Sequence, residues 1–359
     1  MLRLSSVGRF AVMAGVAAMV ATACGGTNTP TSTDVGQGSL TGAGATFPGP
    51  FYDKAFLDYS IKYPQVKVNY QAVGSGAGIQ QFIKKTVDFG ASDVPMGATD
   101  IASAGGDSAL TQIPTTLGVV SVAFNVKGVD KLNLDPDTLA GIFLGKIKNW
   151  NDPKIAAINS GTMLPNKAIT VVHRSDGSGT TFHFTDYMSK ISADWKTTVG
   201  TAKSVKWPTG VGASGNQAVA QAITSTDGAV GYVELAYVVQ TGMKQAALKN
   251  ANGKFVQASI DAATAAAGTN TSVSPTNYSI TNAACDACYP IAGFSWVMLY
   301  TSYSDAAKGK AVVNLFKWLV TDGQSDSQDL QYAPLPAAVQ QLALTNLKAI
   351  KAGGSPVLG

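Results

Sequence analysis

The sequence predicts an α/β protein folded as two lobes around a ligand cleft, and three observations carry that expectation. Runs that alternate like strands lead repeatedly through Gly-rich turns into stretches with helical spacing, the pattern of helices packed on a sheet. The body from Leu40 to Gly359, about 320 residues, is longer than one hydrophobic core usually serves, so it should divide. Three of the strand-to-helix turns, AGATF (43–47), GSGAG (74–78) and DGSGTT (176–181), are rich in small and hydroxyl residues. Two fall early and one falls late, as expected if a ligand is gripped from both sides of a closing cleft.

Composition supports a packed body and excludes some functions. Hydrophobic residues make up 45% of the chain and charged residues only 13%, so a large core is available. The formal charge of +4 falls to +2 once Arg3 and Arg9 are set aside, since 24 basic residues then face 22 acidic ones. The longest basic run is Lys84-Lys85, which gives no stripe for nucleic acid.

The first 23 residues read as a signal peptide, with Arg3 and Arg9 preceding the apolar FAVMAGVAAMVATA (10–23), too short to span a bilayer with confidence. VATAC is similar to a bacterial lipoprotein cleavage site, although Ala21 stands where a Leu is expected. Cys24 is then the lipidated first residue; the alternative is an ordinary secreted protein with a free N-terminal cysteine. Residues 24–38, polar and almost uncharged, read as a flexible tether from that lipid anchor.

Along the body, residues 39–64 read as strand, Gly turn and helix, with Phe51, Ala55, Tyr59 and Tyr63 at helical spacing. VKVNYQAV (66–73) is a strand, IQQFIKKTVDF (79–89) a helix, and GASDVPM (90–96) closes a short strand. LTQIPTTLGVVSVAFNV (110–126) reads as two strand segments that carry the chain between lobes. Residues 134–159 are helical with a turn at KNWNDP. AITVV (168–172) is a strand, and TTFHFTDYMSKI (180–191) a helix with Phe182, Tyr187 and Met188 on one side. VKWPTGVGASGNQAVAQAI (205–223) repeats strand, Gly turn and helix; its GVGASGN turn (210–216) could face the cleft, with a plain helix start as the default. GAVGYVELAYVV (228–239) is a strand running into a helix, and 250–288 a short helix plus loop. GFSWVMLY (293–300) is a buried strand returning to the first lobe, and 306–323 and 329–350 end the chain as helices. The lobes are therefore expected at 39–122 plus 294–359 and at 123–293.

Cys285 and Cys288 form a CDAC pair, in an exported protein most simply a local disulfide. A thioredoxin-like motif would want that pair at a helix start, and a zinc site would want more ligands than His173 and His183 provide. Neither a metal nor a cofactor is expected.

The stretch HRSDGSGTTF (173–182) places a guanidinium, a carboxylate and several hydroxyls at one helix start. Backbone N–H groups and the helix dipole favour an oxyanion there. A surface turn with an N-cap is the plainer alternative. Asp176 either pairs with Arg174 or serves as that cap.

Taken together, LTGAGATFPGPFY, VNYQAVGSGAGIQQF, VDFGASDVP, LAGIFLGKIKNWND, HRSDGSGTTFHFTDY, VKWPTG, GAVGYVE and DLQYAPLP resemble the phosphate-binding protein of bacterial ABC phosphate importers. The resemblance runs in order from about Leu40 to Leu347. It implies a type II periplasmic-binding-protein fold, with inorganic phosphate between the lobes and no enzymatic activity. It implies that Thr46, Phe47, Ser75 and Asp93 bind phosphate from one lobe and Arg174, Ser178, Gly179 and Thr180 from the other. His173 stands where members of the family show a second basic residue. The partners implied are an ABC permease and, through Cys24, the extracytoplasmic face of the cell membrane; nucleic acid is not among them, and the protein is expected to be a monomer. A phosphatase built on the same cleft is the competing enzyme reading, and an adhesin or receptor the third. Against the phosphatase stand the lack of a metal-ligand cluster and of an evident triad. An ionised Asp93 only accepts hydrogen bonds, so it would pair with the proton of phosphate and repel fully ionised sulfate.

Overall fold

The computed structural model describes residues 34–358; the expected signal peptide, Cys24 and most of the tether lie outside them. The body alternates strands and helices as the sequence implies. β1 (Gly38–Gly44), α1 (Gly49–Lys62), β2 (Val66–Ala72), α2 (Ser75–Ile83), β3 (Phe89–Ser92) and α3 (Ala98–Ser103) lead to the long β4 (Leu110–Asn125). β5 (Asn133–Leu134), α4 (Pro136–Phe143), α5 (Pro153–Ala157), β6 (Thr170–Arg174), α6 (Gly179–Ile191) and α7 (Ala193–Thr198) follow. Then come β7 (Val211–Ala213), α8 (Gly215–Ser225), β8 (Ala229–Glu234), α9 (Leu235–Thr241), the short β9 (Lys244–Gln245), β10 (Ala247–Lys249) and β11 (Phe255–Val256), and α10 (Ile260–Ala267). β12 (Ala292–Tyr300), β13 (Ser302–Tyr303), α11 (Ala306–Val320), α12 (Ala337–Lys348), β14 (Lys351–Ala352) and β15 (Ser355–Pro356) end the chain.

Among the described residues the main sheet runs β2-β1-β3-β12-β4-β8-β6-β7, with β9 also on β4. β1, β2 and β3 are parallel, as are β8, β6 and β7. β4 and β12 join the two parallel groups, and both run antiparallel to their neighbours. The apolar run at 110–126 is thus one strand rather than two segments. Leu110–Val119 pair with β12 and Val120–Asn125 with β8, so one buried strand serves both lobes by changing partner. The β4–β12 register shifts at Ser295/Trp296, opposite Pro114, which has no N–H to give a ladder.

Other expectations shift for local reasons. The helix expected over 79–89 starts earlier, at Ser75, and stops at Ile83. Lys85 takes a left-handed φ of 56°, which frees Phe89 to enter β3 and bury against Phe316. The strand expected in VKW lies instead at Val211–Ala213, past Pro208, where it pairs with Val172–Arg174. On α6 the buried stripe is Phe184, Tyr187 and Met188, while Phe182 is only half-buried against Tyr278. An i, i+3, i+4 set shares one helix face, and Phe182 lies off it. α12 begins only at Ala337, after Pro334 and Pro336.

Candidate functional site

Strands β1, β2, β3 and β6 end in the turns that carry the expected site residues, so these residues gather at the carboxyl ends of parallel strands. Thr46 and Phe47 follow β1, Ser75 opens α2, Asp93 follows β3, Arg174 ends β6, Ser178 caps α6, and Gly179 and Thr180 begin it. All eight are buried. Gly74, with φ 95°, turns the chain from β2 into α2. Gly179 packs against Asp93, where a Cβ would lie 2.4 Å from that of Asp93, so no larger residue fits.

Hydrogen bonds cross between the two groups of turns. The Ser75 hydroxyl accepts from the N–H of Asp93 at 3.3 Å and of Gly179 at 3.1 Å. The Gly76 N–H donates to the Gly177 carbonyl at 2.8 Å. Thr46 Oγ1 accepts from both the backbone and the side-chain amide of Asn216, at 3.2 and 2.9 Å. The same Asn216 amide donates to Thr180 Oγ1 at 3.1 Å, and Arg174 Nη1 approaches that oxygen at 3.4 Å. Tyr237 donates to the Thr46 carbonyl at 2.7 Å.

These bonds leave the site rich in donors. The Thr46 and Thr180 oxygens already accept, so each hydroxyl retains its proton for a further acceptor. The N–H groups of Thr46, Phe47 and Thr180 have no partner among the described residues. Two of the three backbone donors expected at the start of α6 are engaged within the protein. Ser178 N–H donates to the Lys203 carbonyl, and Gly179 N–H to Ser75. Ser178 Oγ caps the helix by accepting from Thr181 N–H at 3.1 Å.

Two carboxylates, the half-buried Asp176 and the fully buried Asp93, have opposite electrostatics. Arg174, 2% exposed, clamps Asp176 with Nε to Oδ1 at 2.7 Å and Nη2 to Oδ2 at 2.5 Å. Gly215 N–H adds a third bond to Asp176. Burial works to raise the Asp176 carboxyl, but Arg174 outweighs it and holds the group below the usual carboxylate range. Asp176 is therefore the partner of Arg174, and the cap is Ser178. Asp93 is 1% exposed, and burial pushes its carboxyl up to about 7 despite a 2.6 Å hydrogen bond from Ser295 and the nearby Arg174 charge.

The two histidines and the tryptophans Trp150, Trp207 and Trp296 have packing roles. His173 stacks on Trp207 with ring centroids 4.6 Å apart, and burial lowers its pKa. His183 is buried beside Gly293 and Phe47, its pKa pushed down to about 4. Trp150 and Trp296 are core residues. Cys285 and Cys288 are joined by a disulfide, and Asn250 donates to the carbonyls of that turn. Among the described residues no group of three or more His, Cys, Asp or Glu is placed to hold a metal.

Sequence reasoning passed over Asn216, Tyr237 and Ser295. Asn216 ends GVGASGN, whose turn chemistry matches the other site turns. Ser295 is the one serine in the apolar GFSWVMLY, and a polar residue inside a buried strand needs a partner.

The chain matches a PBP superfamily domain over residues 28–321. It is 42% identical over 317 residues to a phosphate-binding protein PstS of Xylella fastidiosa (strain 9a5c), covering 87% of this chain and 86% of that one. It is 45% identical over 307 residues to a phosphate-binding protein PstS of Pasteurella multocida (strain Pm70), covering 84% and 88%. The crystal structure of a phosphate-binding protein from Stenotrophomonas maltophilia shares the fold at a TM-score of 0.66 and 22% identity, covering 86% of this chain and 93% of that one.

Proposed function

The chain belongs to the phosphate-binding proteins of ABC phosphate importers, and on that premise we propose that it binds inorganic phosphate outside the cytoplasmic membrane and delivers it to an ABC permease for import. The protein is a transport receptor rather than an enzyme. The observation that carries the reading is a buried cluster of unused donors beside a single carboxyl acceptor, the complement of an anion that keeps one proton.

In this reading the free N–H groups of Thr46, Phe47 and Thr180, and the hydroxyls of Thr46, Ser75, Ser178 and Thr180, donate to phosphate oxygens. Arg174 adds charge-assisted donation from Nη1, its guanidinium plane held by Asp176. Gly179 supplies the close approach that brings the α6 start against Asp93. Asp93 Oδ2 accepts the phosphate proton. A fully ionised sulfate has no proton to offer, so its oxygen would face a buried carboxylate, a contact costing roughly several kcal/mol.

We assign residues 39–122 with 294–359 to one lobe and 123–293 to the other. The partner change of β4 after Val119 and the start of β12 at Ala292 support that division. Lipidation at Cys24, with residues 24–38 as tether, would hold the monomer at the membrane surface where the permease lies.

Calorimetric titration of residues 25–359, freed of bound phosphate, tests the reading. One-to-one phosphate binding at micromolar affinity or tighter, without a sulfate response, is the expected result; folded protein that ignores phosphate would overturn it. Asn216→Ala is expected to weaken phosphate binding about ten-fold while sulfate stays unbound. The variant loses one side-chain hydrogen bond between the lobes, to Thr46, and two within its own lobe, to Thr180 and from the Glu234 N–H, each worth about 1 kcal/mol. The same calorimetry checks it, and an unchanged affinity would remove Asn216 from the closure.

A further inference from the structure

We propose that Ser295 is a specificity-determining positioning residue, fixing which oxygen of Asp93 meets the ligand. The inference rests on the phosphate reading above. Ser295 lies fully buried on β12, the returning strand between the two parallel groups. Its register follows from the antiparallel pairing of Trp296 with Ser92, which sets Ser295 beside Asp93. Between Ser295 and Trp296 the register with β4 slips by one residue, which leaves Thr115 as the extra residue of that strand beside Ser295. The backbone is pinned as well: the Ser295 carbonyl accepts from Thr115 Oγ1 at 3.2 Å, and Thr115 is hydrogen-bonded to Tyr52 at 2.5 Å.

Ser295 Oγ donates to Asp93 Oδ1 at 2.6 Å. The other oxygen, Oδ2, faces the start of α6, since a Cβ on Gly179 would lie 2.5 Å from it. The two oxygens therefore have separate duties. Oδ1 is occupied by a hydroxyl donor, and Oδ2 is left to accept from the ligand. A donor on Oδ1 also favours the ionised carboxyl, opposing the burial that raises it. The charged or titratable groups that interact with Asp93 are Arg174 from β6, Asp176 from the turn after it, Glu234 at the end of β8, and the buried tyrosines Tyr52, Tyr70, Tyr237 and Tyr332, which burial keeps neutral. His183 on α6, which meets the Asp93 backbone, is held neutral by burial. A change at Ser295 leaves all of these in place.

Without the Ser295 hydroxyl, Oδ1 has no partner and the carboxyl holds its proton more readily. A protonated Asp93 donates instead of accepting, and the obstacle to sulfate is gone. A residue that only packed would weaken both anions alike.

The test is calorimetric phosphate binding with sulfate competition, at one pH near 8, on the wild type, Ser295→Ala and Ser295→Thr. Ser295→Ala is expected to lower the phosphate-to-sulfate preference by about ten-fold or more, the scale of one hydrogen bond to a charged group. Ser295→Thr, which keeps the hydroxyl, restores the preference. Ser295→Cys, with a weaker donor and similar volume, gives the same reading if the alanine variant does not fold. A preference within about two-fold of wild type in a folded variant lacking the hydroxyl would overturn the inference and leave the phosphate reading intact. Wild-type protein that binds no phosphate in the same series would overturn both.

Discussion

Arg174→Ala is expected to lower phosphate affinity by at least about 100-fold, the largest effect of any single substitution in the cleft. Arg174 is 2% exposed and spends Nε and Nη2 on Asp176, leaving Nη1 directed at Thr180. Its removal takes a charge-assisted donor from a buried anion. It also leaves Asp176 as an uncompensated carboxylate beside that anion. Removing one partner of a fully buried pair costs about 3–5 kcal/mol; the half-buried Asp176 sets the cost below that, but the abandoned carboxylate also repels the ligand. Arg174→Lys should fall between wild type and alanine, because a point charge replaces the planar fork that grips Asp176. Calorimetry measures both. A change of less than about two-fold in the alanine variant would mean that phosphate sits elsewhere.

Asp93→Asn is expected to weaken sulfate rejection more than it weakens phosphate binding. An amide can donate to an ionised sulfate oxygen, while its carbonyl still accepts the phosphate proton. Sulfate competition against bound phosphate reads the change directly, and unchanged selectivity would refute the role assigned to Asp93. The same substitution should alter how stability depends on pH. The Asp93 carboxyl is raised from 3.8 to about 7 by burial, so the folded protein keeps a proton that the unfolded chain releases. Its contribution is fully present below about pH 4 and lost as pH climbs through 7. Asparagine does not titrate. Ligand-free Asp93→Asn should therefore gain thermal stability relative to wild type between pH 5 and pH 8, by roughly a few kcal/mol at the upper end. Glu234, also raised by burial and further by the Asp93 charge, loses that repulsion in the variant, which moves the difference in the same direction. Paired thermal melts at the two pH values would show the gap widening, and a constant gap would contradict the raised pKa.

Arg174 stands out in the sequence for a local reason, whereas the role of Asp93 enters through the family resemblance. Arg174, Ser178, Gly179 and Thr180 lie within one strand–turn–helix unit, where the chain itself places a cation and a helix start together. Turn chemistry marked the segments that hold Thr46 and Ser75, while the roles of Thr46, Ser75 and Asp93 are what the family resemblance implies. Where local signals were weaker, element limits moved. The helix after GSGAG stopped at Ile83 because Lys85 turned left-handed, a choice driven by burying Phe89 in the sheet. The strand near 205–223 moved past Pro208 to the segment that could pair with β6.

What the chain determined by itself is the alternation of strand, Gly turn and helix, the division into two lobes, and the residue types that could meet an oxyanion. Each depends on spacing within a few residues or on bulk composition. Only the tertiary structure decided that Ser295 caps Asp93 from 202 positions away, and that Asn216 ties Thr46, 170 positions away, to Thr180. It also decided that β4 serves two lobes by switching partners. Such contacts depend on strand order, register and one bulge, and a hydrogen bond between distant segments leaves no period in the sequence to announce it.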